Sequence, residues 1–151
     1  MAYLVPMETA PHIRLVLWKA AKSIDRVDRA SITGTGLQFS EFAILEILLH
    51  KGPLPINTIG EKVLLTSGSM TAAVNRLARK GLVRRQKDSL DGRRFHVHLT
   101  APGRDTIASA FAIHQQNLER ATEVLTGQER TELVRLLKKL GRHADALRLT
   151  H

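Results

Sequence analysis

Between Thr66 and His96 the chain concentrates charge of one sign. Eight basic residues (Arg76, Arg79, Lys80, Arg84, Arg85, Lys87, Arg93 and Arg94) stand against two acids, Asp88 and Asp91, so this stretch carries +6 of the chain's net +9. A solvated face ordinarily mixes signs. An excess this local suits a polyanion, because each phosphate neutralised by Lys or Arg releases condensed counterion. Just before the basic run come Thr66, Ser67, Ser69, Thr71, Ala72 and Asn75. Short side chains let a helix sink into a DNA major groove, where Asn and Arg reach base edges or phosphates. The bland reading is an αα-hairpin with a solvated polar face, and the pattern by itself leaves both open.

The elements that would position these residues follow from periodicity. Met70, Val74 and Leu77 form the inner stripe of a helix that Thr66 or Ser67 caps and that ends near Lys80. Gly81 follows as a C′ residue. Ahead of it, Pro55 is expected to open a short helix with Ile56, Ile59 and Val63 inward, giving the order of a helix-turn-helix. Behind it, Leu82 to Gln86 and Phe95 to Leu99 read as two strands. The turn between them, KDSLDGRR, is charged and carries Arg93 and Arg94 at its tip. A hairpin after a recognition helix is a wing, and its tip is placed to drop an arginine into an adjacent minor groove. Asp88 and Asp91 are expected to order an arginine there by bidentate hydrogen bonds. The bland reading of the hairpin is a solubilising one.

Around this unit lie more helical stretches. Residues 11 to 31 carry Ile13, Leu17, Ala20, Ile24 and Val27 at steps of four and three. Phe39 to His50 is apolar nearly all round, which marks a central helix. After Thr100 the seam is Ile107, Phe111, His114, Leu118 and Ala121. Thr126 to Glu129 is a capping-box pattern that starts a last helix with Leu133, Leu137, Leu140, Ala144 and Leu147. Long helices with continuous seams need a partner, most economically a second copy of the chain.

Several function classes find no support. There are no cysteines, so disulfides, thiolate zinc sites and cysteine redox sensing are excluded. No nucleophile–base pairing, Gly-rich phosphate loop or HExxH motif is present, and an enzyme is not expected. His96 and His98 share a strand face but lack the acids a metal site would need, so no metal and no cofactor are expected. The start, MAYLVPMETAP, lacks the basic n-region of a secretory signal, and no apolar run approaches a membrane span. The expected location is cytoplasmic. A basic amphipathic membrane binder remains a rival class.

The stretch LLTSGSMTAAVNRLARKGLVRRQKDSLDGRRFHVHLTAPG resembles the multiple-antibiotic-resistance repressor (MarR) family of bacterial winged-helix regulators. The matching positions are Leu77, Arg79-Lys80-Gly81-Leu82, Asp88, Asp91, Arg93, Leu99-Thr100 and Gly103, with GLQFSEFAILEIL upstream. Leu90 departs from a wing position that is often polar, and Gln38 stands where a capping threonine is frequent. Within the family, LLTSGSMT is most similar to regulators of aromatic-compound or quinone stress genes.

The resemblance implies a mainly α fold: a winged helix-turn-helix lobe over residues 37–100, with long terminal helices, 1–34 and 101–151, forming a dimerisation region. It implies a homodimer on a two-fold DNA site, with repression relieved by a small ligand, often aromatic. The alternative is a ligand-independent architectural DNA binder. Candidate DNA contacts are Thr66, Ser67, Ser69, Met70, Thr71, Asn75, Arg76, Arg79, Arg84, Arg93 and Arg94, with Asp88 and Asp91 ordering the wing. Candidate ligand-pocket residues are His12, Arg14, Leu15, Trp18, Phe39, Phe42 and His114. Plain core packing is the competing reading for each aromatic, and a satisfied interface histidine is the competing reading for His114.

Overall fold

The structure, a computed structural model, describes residues 8–63 and 65–147. The chain divides into two compact units, residues 1–118 and 119–151. Among the described residues, six helices and three short strands follow in order: α1 (Ala10–Thr33), α2 (Phe39–Lys51), β1 (Leu54–Pro55), α3 (Ile56–Val63), α4 (Ser67–Arg79), β2 (Val83–Lys87), β3 (Phe95–Leu99), α5 (Ala101–Thr122) and α6 (Gly127–Ala146). The mainly α winged-helix architecture is the one the sequence pattern implies.

The first unit is built on α2. Its apolar girth becomes the centre of the core: Phe42, Ile44, Leu45 and Leu48 are all buried. The inner stripe of α4 packs there too, with Met70, Val74 and Leu77 at 1% exposure or less. Burying side chains of this size contributes about 1.5–3 kcal/mol each. The close approach of α3 to α4 requires Gly60, where an added Cβ would lie 3.1 Å from Met70 Cγ. Met70 is therefore a core residue that seats the helix, and the expectation that it touches DNA is corrected: a side chain 1% exposed reaches no groove.

α4 starts and stops as expected. Thr66 Oγ1 accepts the Ser69 N–H at 3.3 Å. Gly81 follows Lys80 with a positive φ, a conformation that favours glycine. The β2–β3 hairpin is antiparallel, in register from Val83↔Leu99 to Lys87↔Phe95. A third strand goes beyond what the local pattern implies. Pro55 belongs to β1, which pairs with β3 through Leu54↔Val97 and Pro55↔His96, and the helix begins one residue later. The sheet order β1-β3-β2 leaves β1 at an edge, where a proline's missing N–H is tolerated.

The base of the wing is fastened to α5. Thr100 Oγ1 donates to the Gly81 carbonyl at 2.6 Å and accepts the Gly103 N–H at 3.1 Å. The Thr100 N–H donates to the Leu82 carbonyl at 3.1 Å. Gly103 sits so close to that carbonyl that only a glycine fits.

In the second unit, Thr126 and Glu129 form the expected capping box at the start of α6, and Arg130 pairs with Glu119 at 2.7 Å. No residue of α6 is buried, and Leu133, Val134, Leu136, Leu137 and Leu140 are all exposed. The N-terminal part of α1 is similarly bare at Ile13, Val16, Leu17, Trp18 and Ile24. No helix among the described residues is long and apolar enough to cross a membrane.

Candidate nucleic-acid interface

The outward face of α4 and the wing carry the basic cluster. On α4, Ser69, Thr71, Ala72, Asn75 and Arg79 are exposed, as the helical period requires of positions opposite Met70, Val74 and Leu77. Ser67 begins the helix, and its side chain lies outside the described residues. Thr66 is occupied as the cap, and its hydroxyl also donates to Ser69 Oγ at 3.0 Å.

Arg76 is not free in the way the sequence reading assumes. Its Nε donates to Glu41 Oε1 at 3.2 Å and its Nη2 to Ser40 Oγ at 3.1 Å. Lys80 Nζ donates to both Glu41 oxygens, at 3.1 and 2.9 Å. The Glu41 side chain is fully buried, while Arg76 and Lys80 keep 30% and 46% exposure. Glu41 also accepts the Gln38 N–H at 3.2 Å, which caps the start of α2 where the departure from threonine would have weakened it. Burial pushes the Glu41 pKa up, but the Lys80 ammonium, the Gln38 N–H and Arg76 outweigh it, and the carboxyl titrates below its ordinary value. A buried carboxylate stays ionised only with such company.

Sequence reasoning does not single out Glu41. Two signals point to it in retrospect. It lies three residues after Gln38 in a Q-x-x-E arrangement, and it is an acid in the first turn of a mostly apolar helix.

The wing's two arginines on β2 face opposite ways, because strand side chains alternate. Arg85 reaches toward α4, and its Nη2 donates to Asn75 Oδ1 at 2.7 Å. Arg84 stands across from His98 and donates to Gln86 Oε1 at 2.9 Å. The sequence reading selects Arg84; the side chain that joins the recognition helix is Arg85. Burial, then Arg84 and His96, lower the pKa of His98.

At the wing tip, the Asp88 N–H donates to the Arg94 carbonyl at 2.8 Å and the Arg94 N–H to the Asp91 carbonyl at 3.0 Å. Asp88 Oδ1 accepts the Leu90 N–H at 2.9 Å, and Asp91 Oδ1 accepts the Arg93 N–H at 3.1 Å. The expected bidentate arginine pairs are replaced by turns in which aspartate caps backbone two residues on. The nearest guanidinium contact is Arg94 Nε to Asp91 at 3.7 Å. So the aspartates order the loop that presents Arg93 and Arg94. Both arginines are exposed and line a groove with Asn57 and Thr58 of α3. Leu90 projects into solvent, 96% exposed.

The candidate pocket residues do not come together within the chain. His12, Arg14, Leu15 and Trp18 occupy the first half of α1, where Trp18 is 51% exposed and carries Lys22 Nζ 4.7 Å from its ring. Phe39 is half-buried under the Arg29 guanidinium at 4.6 Å. Phe42 is 1% exposed and packs edge-on to His114 at 4.9 Å. His114 meets α1 at Ser31, more than three helical turns beyond Trp18 on the same helix. The notion of one pocket lined by all seven is corrected for the single chain.

His114 is fully engaged inside the first unit. Asn117 Nδ2 donates to Ser31 Oγ at 2.9 Å, and His114 Nδ1 shares a hydrogen bond with the same hydroxyl at 3.0 Å. On its other side, His114 Nε2 lies 3.0 Å from Asp28 Oδ1. This network ties α1 to α5. No cluster of metal-binding side chains occurs among the described residues.

A helix-turn-helix with an exposed polar recognition face, followed by a basic β-hairpin wing, defines a winged-helix DNA-binding regulator. The MarR family model matches residues 35–94. Among curated proteins, the chain is 33% identical to the uncharacterized HTH-type transcriptional regulator YkoM of Bacillus subtilis (strain 168), over 93% of this chain and 92% of that one. It is 35% identical to the HTH-type transcriptional regulator MhqR of the same organism, over 86% and 90%. A solved MarR-family regulator from Silicibacter pomeroyi superposes with a TM-score of 0.76 at 25% identity, covering 99% of each chain. The chain belongs to the MarR family of DNA-binding transcriptional regulators. These relatives are transcriptional regulators rather than enzymes.

Proposed function

We propose that the chain is a homodimeric repressor that binds a pseudo-palindromic operator and is released by a small aromatic ligand. The observation that carries the DNA reading is the exposed polar face of α4 beside a wing ordered to present arginine. One recognition helix per subunit would enter successive major grooves, about 34–36 Å apart. Dimerisation is supported by the bare apolar faces of α1 and α6, because exposed leucine seams of this extent are rare on monomers. The proposed dimerisation region remains 1–34 and 101–151, and the proposed DNA-binding domain 37–100.

The test is fluorescence anisotropy with labelled duplex from upstream of the protein's own gene, at physiological salt and against scrambled competitor. Nanomolar binding that survives competitor, with light scattering at twice the chain mass, is the expected result. Binding abolished by scrambled duplex would make the chain a general DNA binder instead.

The ligand reading is supported by the first half of α1. An exposed indole with an ammonium above it, and Lys19 and Arg26 alongside against one acid, Asp25, suits an aromatic acid or phenolate. Trp18 is the chain's one tryptophan, so quenching of its fluorescence reports binding there directly. Aromatic acids and phenols that release DNA are expected to quench it; release without any change in Trp18 emission would move the ligand elsewhere.

A further inference from the structure

The basic cluster is not one electrostatic population. Arg79, Arg84, Arg85, Arg93 and Arg94 are exposed. None of these five pairs with a buried acid among the described residues. Arg76 and Lys80 differ: both are held by Glu41, an acid from another helix whose side chain is fully buried. One carboxylate thus joins the first turn of α2 to the last turns of α4. Counting Glu41 with the +6 of residues 66–96 brings the cluster to +5. The cancelled charge lies at the C-terminal end of the recognition helix.

Resting on the DNA-binding reading above, we infer that Glu41 is a positioning residue that sets sequence discrimination. It restrains two cations from indiscriminate phosphate contacts and fixes the orientation of α4 on α2. The physical reason is competition. A phosphate and Glu41 offer Arg76 and Lys80 the same kind of charge-assisted hydrogen bond, but Glu41 is already in place, dry and covalently fixed. Phosphate contacts carry no sequence information, so withholding these cations lowers non-specific affinity more than specific affinity. Arg79, one residue from Lys80 along the chain, carries the same charge without that restraint.

Each phosphate contact adds about 0.9 to the slope of log K against log salt. The experiment therefore measures that slope on a random-sequence duplex for wild type, Arg79→Gln, Lys80→Gln, Glu41→Gln and Glu41→Asp, each checked for native circular dichroism. Arg79→Gln is expected to flatten the slope by about 0.9. Lys80→Gln should flatten it by clearly less than Arg79→Gln does, because Glu41 already holds Lys80. Glu41→Gln should steepen it by about 1–2 and raise random-duplex affinity at low salt roughly tenfold, as Arg76 and Lys80 swing out to phosphates. Glu41→Asp keeps the charge and should keep the wild-type slope.

A merely structural role for Glu41 would lower the melting temperature without moving the slope, and that outcome overturns the inference. Equal flattening by Lys80→Gln and Arg79→Gln also overturns it, and this arm does not depend on Glu41→Gln folding. Failure of the wild type to bind duplex at low salt would instead overturn the DNA-binding reading itself, and the inference with it.

Discussion

Gly103 offers the sharpest test of how the wing is held. A Cβ built on it would lie 1.8 Å from the Leu82 carbonyl oxygen, 2.8 Å from its carbon and 3.1 Å from the Leu82 Cα. All three atoms are backbone, so no rotamer change relieves the clash. To restore ordinary contact, the start of α5 and the end of the α4–β2 connection must separate by well over an ångström. That movement pulls directly on Thr100, whose hydroxyl bridges the Gly81 carbonyl and the Gly103 N–H, and on its N–H bond to the Leu82 carbonyl. Overpacking costs about 1–3 kcal/mol, and losing the cap and one further hydrogen bond about 1 kcal/mol each. Gly103→Ala should therefore destabilise the fold by about 3–5 kcal/mol, a large part of a stability of roughly 5–15 kcal/mol. At roughly 2–4 °C per kcal/mol for a chain of this size, the melting temperature should fall by about 6–20 °C. Thermal unfolding followed by circular dichroism measures this. The control is Gly127→Ala, where the added Cβ meets nothing within 4 Å and the change should stay within about 0.5 kcal/mol. A Gly103→Ala protein melting within about 2 °C of wild type would refute the claim that α5 is wedged against the wing base.

Three further outcomes follow from the geometry. Ser31→Ala removes the hydroxyl shared by His114 and Asn117 and should cost about 1–3 kcal/mol in urea unfolding; a cost below about 0.5 kcal/mol would mean the network is not maintained in solution. Glu46 has its pKa raised by burial and, more weakly, by Asp28, against the opposing pull of His114 and His50. A folded-state pKa above the unfolded one gives stability that is present at low pH and lost as pH rises through the folded value. Glu46→Gln should accordingly raise the melting temperature at neutral pH relative to wild type, with the gain shrinking as pH falls through the raised folded value toward the ordinary 4.5 and largely gone below it; a pH-independent difference would contradict it. Asp91→Ala should leave stability within about 0.5 kcal/mol yet weaken DNA binding several-fold in anisotropy titrations, because Arg93 loses the backbone bond that orders it; unchanged affinity would remove the wing tip from the interface.

Much of this protein is written locally. The inner stripe Met70-Val74-Leu77, the Thr66 cap, the Gly81 stop, the alternation of Phe95 to Leu99 and the Thr126–Glu129 capping box are short-range patterns. Each depends on residues no more than a turn or two apart, so each is visible in the chain before it folds. The concentration of eight basic residues around one helix and one hairpin is likewise a property of the sequence, and it points to a polyanionic partner without any structure.

What those residues do was decided by contacts across the fold. Glu41 and Lys80 are thirty-nine positions apart, and nothing in the spacing says that a buried acid of α2 would hold two cations of the recognition helix. The pleat decided that Arg85, not Arg84, meets Asn75. The pairing of Pro55 with His96 made a third strand where local pattern gave only a helix start. Phe42 and His114 became core and network because α5 returns to α2, while Trp18, on the same helix as Ser31 but more than three turns away, is 51% exposed. Periodicity determines which face of an element turns inward; which groups meet across that face depends on how the elements are brought together, and only the tertiary structure contains that.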